Sequence, residues 1–409
     1  MANGSTMSRS THHFEQFQPH SKHKHLILEQ YFLAWAHKLG LRQGAQDQIL
    51  YVDACAGRGE DDLGNQGSPL IAADAAAIAA ESVSKRRGRA FTIRVVAFEP
   101  NQKHFSALSR LMQPYGASVE VLQRGILDGI GEIERRFPST ATLYFVDPFG
   151  LEPLQSDVIK RALSGHQHEA LLLFADQAAL RHFGAITAAE TRTEKRLRYA
   201  VQPLPLLPDL EPSDTAALVD AAKVSRQALE LSRENALRIM NAAFGDDTWL
   251  ATIERAAPQI RRRALVDLYR TRLHAWGATH TLPVPIVDKG GVHAYTLIHA
   301  SKSPKAYLTM KDAVAYALDH GPLPPTTTEL MRQLVFPDPD VVESLVRRQF
   351  AGSIVRWADD PTNKQAPSVR AFALENTDAF RFHLDDLKER LRPFKQSGRS
   401  ITYSFPAER

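Results

Sequence analysis

The segment Ile49-Leu50-Tyr51-Val52-Asp53-Ala54-Cys55-Ala56-Gly57-Arg58-Gly59 constrains the fold of this chain more than any other. An apolar run ends on a carboxylate, and the turn after it relies on small residues at positions 54, 56, 57 and 59. Gly67-Ser68-Pro69-Leu70 follows, with Ser68 suited to cap a helix and Pro69 preset for its first turn. Buried strand, tight turn and helix are how a parallel α/β sheet opens a pocket at the carboxyl end of its first strand. Glycine there lets backbone approach a ligand closely. Asp53 is expected at the pocket mouth, with Ala54, Gly57, Gly59 and Ser68 around the bound molecule.

The rest of the chain repeats the alternation. After a polar tail over 1–20, a helix is expected from Ser21 to about Leu39. Strands are expected at Ile49–Asp53, Phe91–Phe98, Val119–Leu122, Leu143–Val146 and Ala170–Phe174, with helical patterns between them. That order predicts an α/β, doubly wound, Rossmann-like sheet with right-handed crossovers. From about 180 to 277 the pattern turns almost wholly helical, interrupted at Pro203–Pro212, and reads as an insertion. Thr279–Val287 and Val292–His299 then form a hairpin around Asp288-Lys289-Gly290-Gly291, completing a domain over 21–300. Residues 301–409 read as a small winged-helix-like domain. Its expected parts are helices at Glu329–Val335 and Val341–Phe350, a hairpin of Gly352–Trp357 with Val369–Ala373, and a last helix over Asp378–Leu391. Arg347 and Arg348 fall on the candidate recognition helix.

Composition narrows the setting. A chain of 409 residues points to two units. A single cysteine, Cys55, excludes a disulfide framework and a cysteine-rich metal or iron–sulfur site, and suggests a reducing, cytoplasmic location. No apolar run reaches the length of a membrane span, so no membrane association is expected. The net charge of +4 permits nucleic acid as a partner without requiring it. Basic clusters at Lys85–Arg89, Lys195–Arg198, Arg261–Arg263 and Arg347–Arg348 each read, taken singly, as a solvated loop or helix face.

Three acids terminate successive strands: Asp53, Glu99 and Asp147. In an open parallel sheet these ends converge on one crevice. Glu99 is placed to accept both ribose hydroxyls of an adenosine-containing ligand, or else serves the start of the next helix. The turn lacks the third glycine of a dinucleotide fingerprint, and Glu60-Asp61-Asp62 directly after it would repel a pyrophosphate. A phosphate-free adenosine derivative with a sulfonium and an amino-acid tail, S-adenosyl-L-methionine (SAM), suits that charge better. Asp128, in the Gly125–Gly129 stretch, is placed near the adenine. Asp147-Pro148-Phe149-Gly150 supplies a carboxylate, an outward carbonyl and a ring, a set able to hold a flat heterocycle by its exocyclic amine. A plain strand-end turn, with Asp147 on the cofactor or a lysine, is the other reading. Ser21-Lys22-His23-Lys24-His25 suggests a lysine reaching the pocket or a basic helix entry, and Cys55 a packing residue.

Together, Ser21-Lys22-x-Lys24-His25, Tyr51-Val52-Asp53-x-x-Ala56-Gly57-x-Gly59, Gly67-Ser68-Pro69-Leu70 and Phe145-Val146-Asp147-Pro148-Phe149-Gly150 resemble the three-Cys-motif partner protein family, TcmP. Ala294-Tyr295-x-Leu297-Ile298-His299-Ala300-Ser301 and Met310-Lys311-Asp312 extend the likeness, which spans roughly residues 20–315. That family is similar to class I SAM-dependent methyltransferases, in particular N6-adenine enzymes. The resemblance therefore implies a class I methyltransferase sheet, SAM as cofactor and a three-cysteine-motif protein of the radical-SAM kind as partner. It also implies Asp147, Pro148 and Phe149 as catalytic residues. In the adenine enzymes the aromatic is the fourth residue of the motif; here it is the third. A catalytically silent scaffold that binds nucleic acid or the partner is the rival reading. A nuclease with clustered acids on Mg²⁺ is a third, disfavoured by the lack of a lysine within two or three residues of Glu99 or Asp147.

Overall fold

A computed structural model describes residues 18–148, 150–187, 231–335, 339–358, 366–396 and 401–406. Its centre is a seven-stranded sheet in the order β3-β2-β1-β4-β5-β7-β6. The strands are β1 (Gln48–Asp53), β2 (Thr92–Phe98), β3 (Val119–Leu122), β4 (Thr142–Val146), β5 (His168–Phe174), β6 (His280–Val287) and β7 (His293–Ser301). β1 to β5 pair in parallel, and β7 runs antiparallel between β5 and β6. This is the Rossmann-like order of the class I methyltransferase fold. Because β1 pairs with both β2 and β4, the winding reverses there, and the crevice of such a sheet opens at the carboxyl ends of those strands.

The two-residue period of the buried strands divides the core. Along β1, Leu50 and Val52 face one apolar layer, while Ile49 and Tyr51 face the other. The first layer is closed by α4 (Ile126–Arg136), α5 (Ser156–Ala162) and the insertion. The insertion's described helices are α6 (176–187), α7 (231–244), α8 (Thr248–Arg255) and α9 (Arg261–Ala275). They are part of the core: Tyr269 of α9 stacks on Phe174 of β5 with ring centroids 4.6 Å apart. The Pro203–Pro212 stretch and the Lys195–Arg198 cluster lie outside the described residues.

The second layer is closed by α1 (Pro19–Leu41), α2 (Ser68–Arg87) and α10 (Pro304–His320). α1 starts two residues before the expected Ser21, so the end of the presumed tail is helical. α10 places Tyr307, Met310, Val314 and Ala317 in the same layer as Ile27, Phe32 and Tyr51. A separate small core begins at Val342 and ends at Phe405.

In that last part, α11 (Pro325–Leu334) and α12 (Pro339–Gln349) stand where helices were expected. The hairpin does not. β8 (Ile354–Arg356) pairs antiparallel with β9 (Thr402–Ser404), and Val369–Ala373 lies in helix α13 (Val369–Asn376). The Ser368 hydroxyl accepts from the Ala371 amide at 3.1 Å, and Val369, Ala373 and Leu374 bury one helical face. A stretch of only five residues, apolar apart from Arg370, fits either period, and the cap decides it. The expected last helix is split into a short 3₁₀ turn at Arg381–His383 and α14 (Leu384–Arg390). Arg347 bridges to Glu343 and lies over the Phe394 ring, which ties it to this small core.

Candidate active site

Backbone bonds across three strands set the turn after β1. The Ala54 amide donates to Phe145 of β4 at 2.8 Å and the Ala56 amide to Phe98 of β2 at 3.0 Å. The turn thus sits between the ends of the neighbouring strands. Gly57 and Gly59 adopt φ of +65° and +95°, where a side chain is strained. At Gly59 a Cβ would also come within 3.0 Å of Leu108 and Leu111. The Gly67 amide donates to the Gly59 carbonyl at 2.6 Å, fastening the start of α2 beneath the turn.

The three strand-end carboxylates do converge, and Cys55 is where they meet. Burial pushes its thiol well up, and the negative charges of Asp53, Asp147 and Glu99 push it further. A thiol so surrounded is a packing residue without nucleophilic character.

Asp53 is fully buried under the turn, not at the pocket mouth. Its carboxylate accepts from the Cys55 amide at 3.2 Å and from the Tyr51 hydroxyl at 3.4 Å. Burial raises its pKa to about 7, opposed by hydrogen bonds from Ser68 and Cys55. Ser68 therefore bonds Asp53 instead of capping α2, whose cap position is Gly67.

A cavity of about 340 Å³ opens above this floor, within the usual range for small-ligand pockets of roughly 300–1,000 Å³. Gly57, Gly59, Ser68, Asp147 and Pro148 line it, as do Lys24, Tyr295, Gln177 and Arg181. Of the acidic triplet after the turn, only Glu60 reaches it. Asp61 is buried and holds its own loop by accepting from Leu63 and Asn65, and Asp62 pairs with Arg58. Ala54 and Asp53 lie behind the lining. Glu99 is 6% exposed, and its Oε1 accepts the Asn101 amide at 2.7 Å. Glu99 and the exposed Asp128 in the first turn of α4 lie outside the lining of this cavity. Phe149 lies outside the described residues.

The lysine expected to reach the pocket is Lys24. Its ammonium ion-pairs with Asp147 Oδ2 and lies 5.8 Å and 6.0 Å from the ring centres of Phe145 and Tyr295. Asp147 Oδ1 makes no hydrogen bond among the described residues. Of the neighbouring histidines, His25 also lines the cavity and His23 does not. Burial lowers His23 to about 4, and burial plus the Lys24 charge holds His25 well below its ordinary value.

Sequence reasoning stopped one strand short. Asp176 and Gln177 follow β5, and the rule that strand ends face the crevice would have reached them. Asp176 is fully buried; its Oδ2 accepts from Thr296 at 2.6 Å and lies 2.7 Å from His293 Nε2, while Oδ1 has no partner among the described residues. Tyr295 stood in the hairpin motif Ala294-Tyr295-x-Leu297, but nothing in that motif assigned it to the pocket.

Among the described residues, no group of three or more metal-ligating side chains could hold an ion, and no helix is long and apolar enough to cross a membrane. No family model matches the chain, and no curated protein is similar to it. Two solved structures of geranyl diphosphate methyltransferase are similar to it. One, in complex with SAM, is 15% identical, with 66% of this chain and 85% of that one covered and a TM-score of 0.23. The other, in complex with GPP and sinefungin, is 14% identical, with 66% and 78% covered and the same TM-score of 0.23.

Proposed function

We propose that this chain is a SAM-dependent methyltransferase acting on an exocyclic amine of a nucleic-acid base, working with a three-Cys-motif, radical-SAM-like partner. One observation carries the reading. A sheet of methyltransferase order brings a glycine turn and the Asp147-Pro148 strand end to the lining of one cavity. The base and the partner are supported by the motif resemblance, and an arginine at the cavity, Arg181, suits a nucleic-acid backbone.

The donor set fits SAM. Backbone at Gly57 and Gly59 leaves room for the methionine end, and Lys24 offers a donor to its carboxylate. Glu60 offers an acceptor to its ammonium. Glu99 stays assigned to the ribose and Asp128 to the adenine, on the side of β1 away from Asp147; both lie outside the lining of the cavity, so this half of the assignment rests on their place in the chain. When bound, SAM supplies an electrophilic methyl group. The chain's own residues hold the acceptor: the free Oδ1 of Asp147 receives an N–H of the substrate amine, which orients the nitrogen lone pair outward. Pro148 fixes the backbone beside it, and Phe149 is assigned to pack on the base. The apolar strip of Leu173, Ala175 and Ala178 limits water in the same cavity.

One observation favours a second reading, a scaffold with a silent site. Lys24 already occupies Asp147 Oδ2, so the carboxylate is neutralised before any substrate arrives.

A tritiated methyl-transfer assay against bulk DNA, RNA and protein, with and without the partner, separates them, and calorimetry reads SAM binding alongside. Label in a nucleic acid supports the enzyme. SAM binding with no acceptor labelled leaves the scaffold, and no SAM binding sinks both the cofactor assignment and the reaction.

A further inference from the structure

We propose that a second cleft, at the opposite end of the sheet, binds a guanine nucleotide. The cleft measures about 690 Å³, twice the size of the first, and shares no lining residue with it. It lies between the last turns of α1 and the first turns of α10, over the amino end of β5. At its floor is Glu169, 7% exposed. Glu169 Oε2 accepts from the Tyr31 hydroxyl and lies 3.4 Å from His299 Nε2, whereas Oε1 makes no hydrogen bond among the described residues. An acceptor-only group at the bottom of a cleft selects a ligand edge made of donors.

The walls are apolar, with Leu39, Ala306 and Leu308 facing the space. At the mouth, Lys38, Arg42 and Lys305 meet no carboxylate among the described residues; Lys38 only donates to the Thr309 hydroxyl at 2.5 Å. Arg381, by contrast, is neutralised by Asp312 at 3.1 Å. These unpaired cations stand beside the start of the 17-residue α10, where the helix dipole adds to their attraction for an anion.

The ligand therefore needs donors at its inner end, an apolar middle and concentrated negative charge outside. A nucleotide has that layout. Among the bases, guanine sets two N–H donors side by side on its pairing edge, whereas adenine and cytosine place an acceptor beside the donor. A simple carboxylic acid would satisfy the cations and leave Glu169 unanswered. The proposal is independent of the methyl-transfer reading and survives its failure.

Fluorescence titration of the full chain with N-methylanthraniloyl-GDP tests it. Saturable binding of one probe per chain is expected, displaced by GDP but not by AMP, benzoate or SAM. Lys38→Glu with Lys305→Glu, both exposed, is expected to weaken it by about ten-fold or more. Glu169→Gln is expected to do the same, and the lysine pair carries the test if that buried substitution unfolds the chain. Absence of binding overturns the proposal, as does binding unchanged in the lysine variant. Equal displacement by AMP or benzoate overturns the base recognition, and displacement by SAM assigns the probe to the first cavity and overturns it too.

Discussion

Two regions of this molecule bury an ionisable group that burial holds near neutral charge, and they do so for different ends. Under the turn, Asp53 is sealed below the cavity floor and its pKa rises to about 7. At the junction with the carboxyl-terminal part, Lys311 of α10 is 3% exposed and its pKa falls to about 7. Asp53 is held by hydrogen bonds from the turn itself, so its ionisation acts on residues that line the cavity. Lys311 donates to the carbonyls of Leu374, Thr377 and Ala379 at 2.6–2.7 Å and sits 4.2 Å from the Tyr307 ring centre. It fastens the end of α13 to the sheet-packed α10 and lines neither the site cavity nor the second cleft. Desolvation alone, then, does not mark a functional site; what else shares the group's surroundings does.

The strongest way to break this comparison is at the site. Asp147→Asn combined with Lys24→Met removes both charges of the pair, leaving neither stranded. Methyl transfer is expected to fall by roughly 10²–10⁴-fold while melting stays within a few degrees. A parallel loss of folding would place Asp147 with Lys311 as a structural group.

The pH dependence of stability comes next, and the two groups pull in opposite senses. Folded Asp53 keeps its proton up to about 7 while the unfolded side chain releases it near 4, so its contribution is lost as pH rises across that window. Folded Lys311 gives up its proton near 7 and the unfolded one near 10.4, so stability gained above that value is lost as pH falls toward 7. Each full window is worth up to ~4 kcal/mol. Urea denaturation from pH 4 to 10 should show the lower slope vanish in Asp53→Asn and the upper one in Lys311→Met. Slopes unchanged in either variant would remove that group from the comparison.

At fixed pH 7, Lys311→Met leaves three carbonyls without their donor and is expected to cost ~3 kcal/mol. Hydrogen exchange should quicken over 369–391, with SAM affinity unchanged. The smallest expected effect is Gly57→Ala, about 1 kcal/mol for a side chain at φ +65°, read as a lower melting temperature together with weaker SAM binding.

Much of the frame was legible because its signals are local. All seven strands follow from apolar runs, and Pro69 and the glycines mark the turn. Lys24 could be suspected from a basic run at a helix start. The assignments that moved depended on distant segments. Ser68 looks like a cap until Asp53 is sealed beneath it, and Val369–Ala373 looks like a strand until Ser368 caps a helix there. Glu99 is at the end of β2 as its position requires, yet its carboxylate is turned to the Asn101 amide and away from the cavity lining.

The sequence by itself determined the alternation of strands and helices, the conformational freedom at Gly57 and Gly59, and the placing of Asp53, Glu99 and Asp147 at strand ends. Each of these depends on residue type and short-range period. Tertiary structure alone decided which cation meets which carboxylate. Lys24 and Asp147 stand 123 residues apart, and the Tyr31 hydroxyl and the Glu169 carboxylate 138 apart, and only the packing of α1 against the sheet brings them together. A pairing between a buried charge and its partner is set by that packing, because desolvation penalises every arrangement in which the two fail to meet.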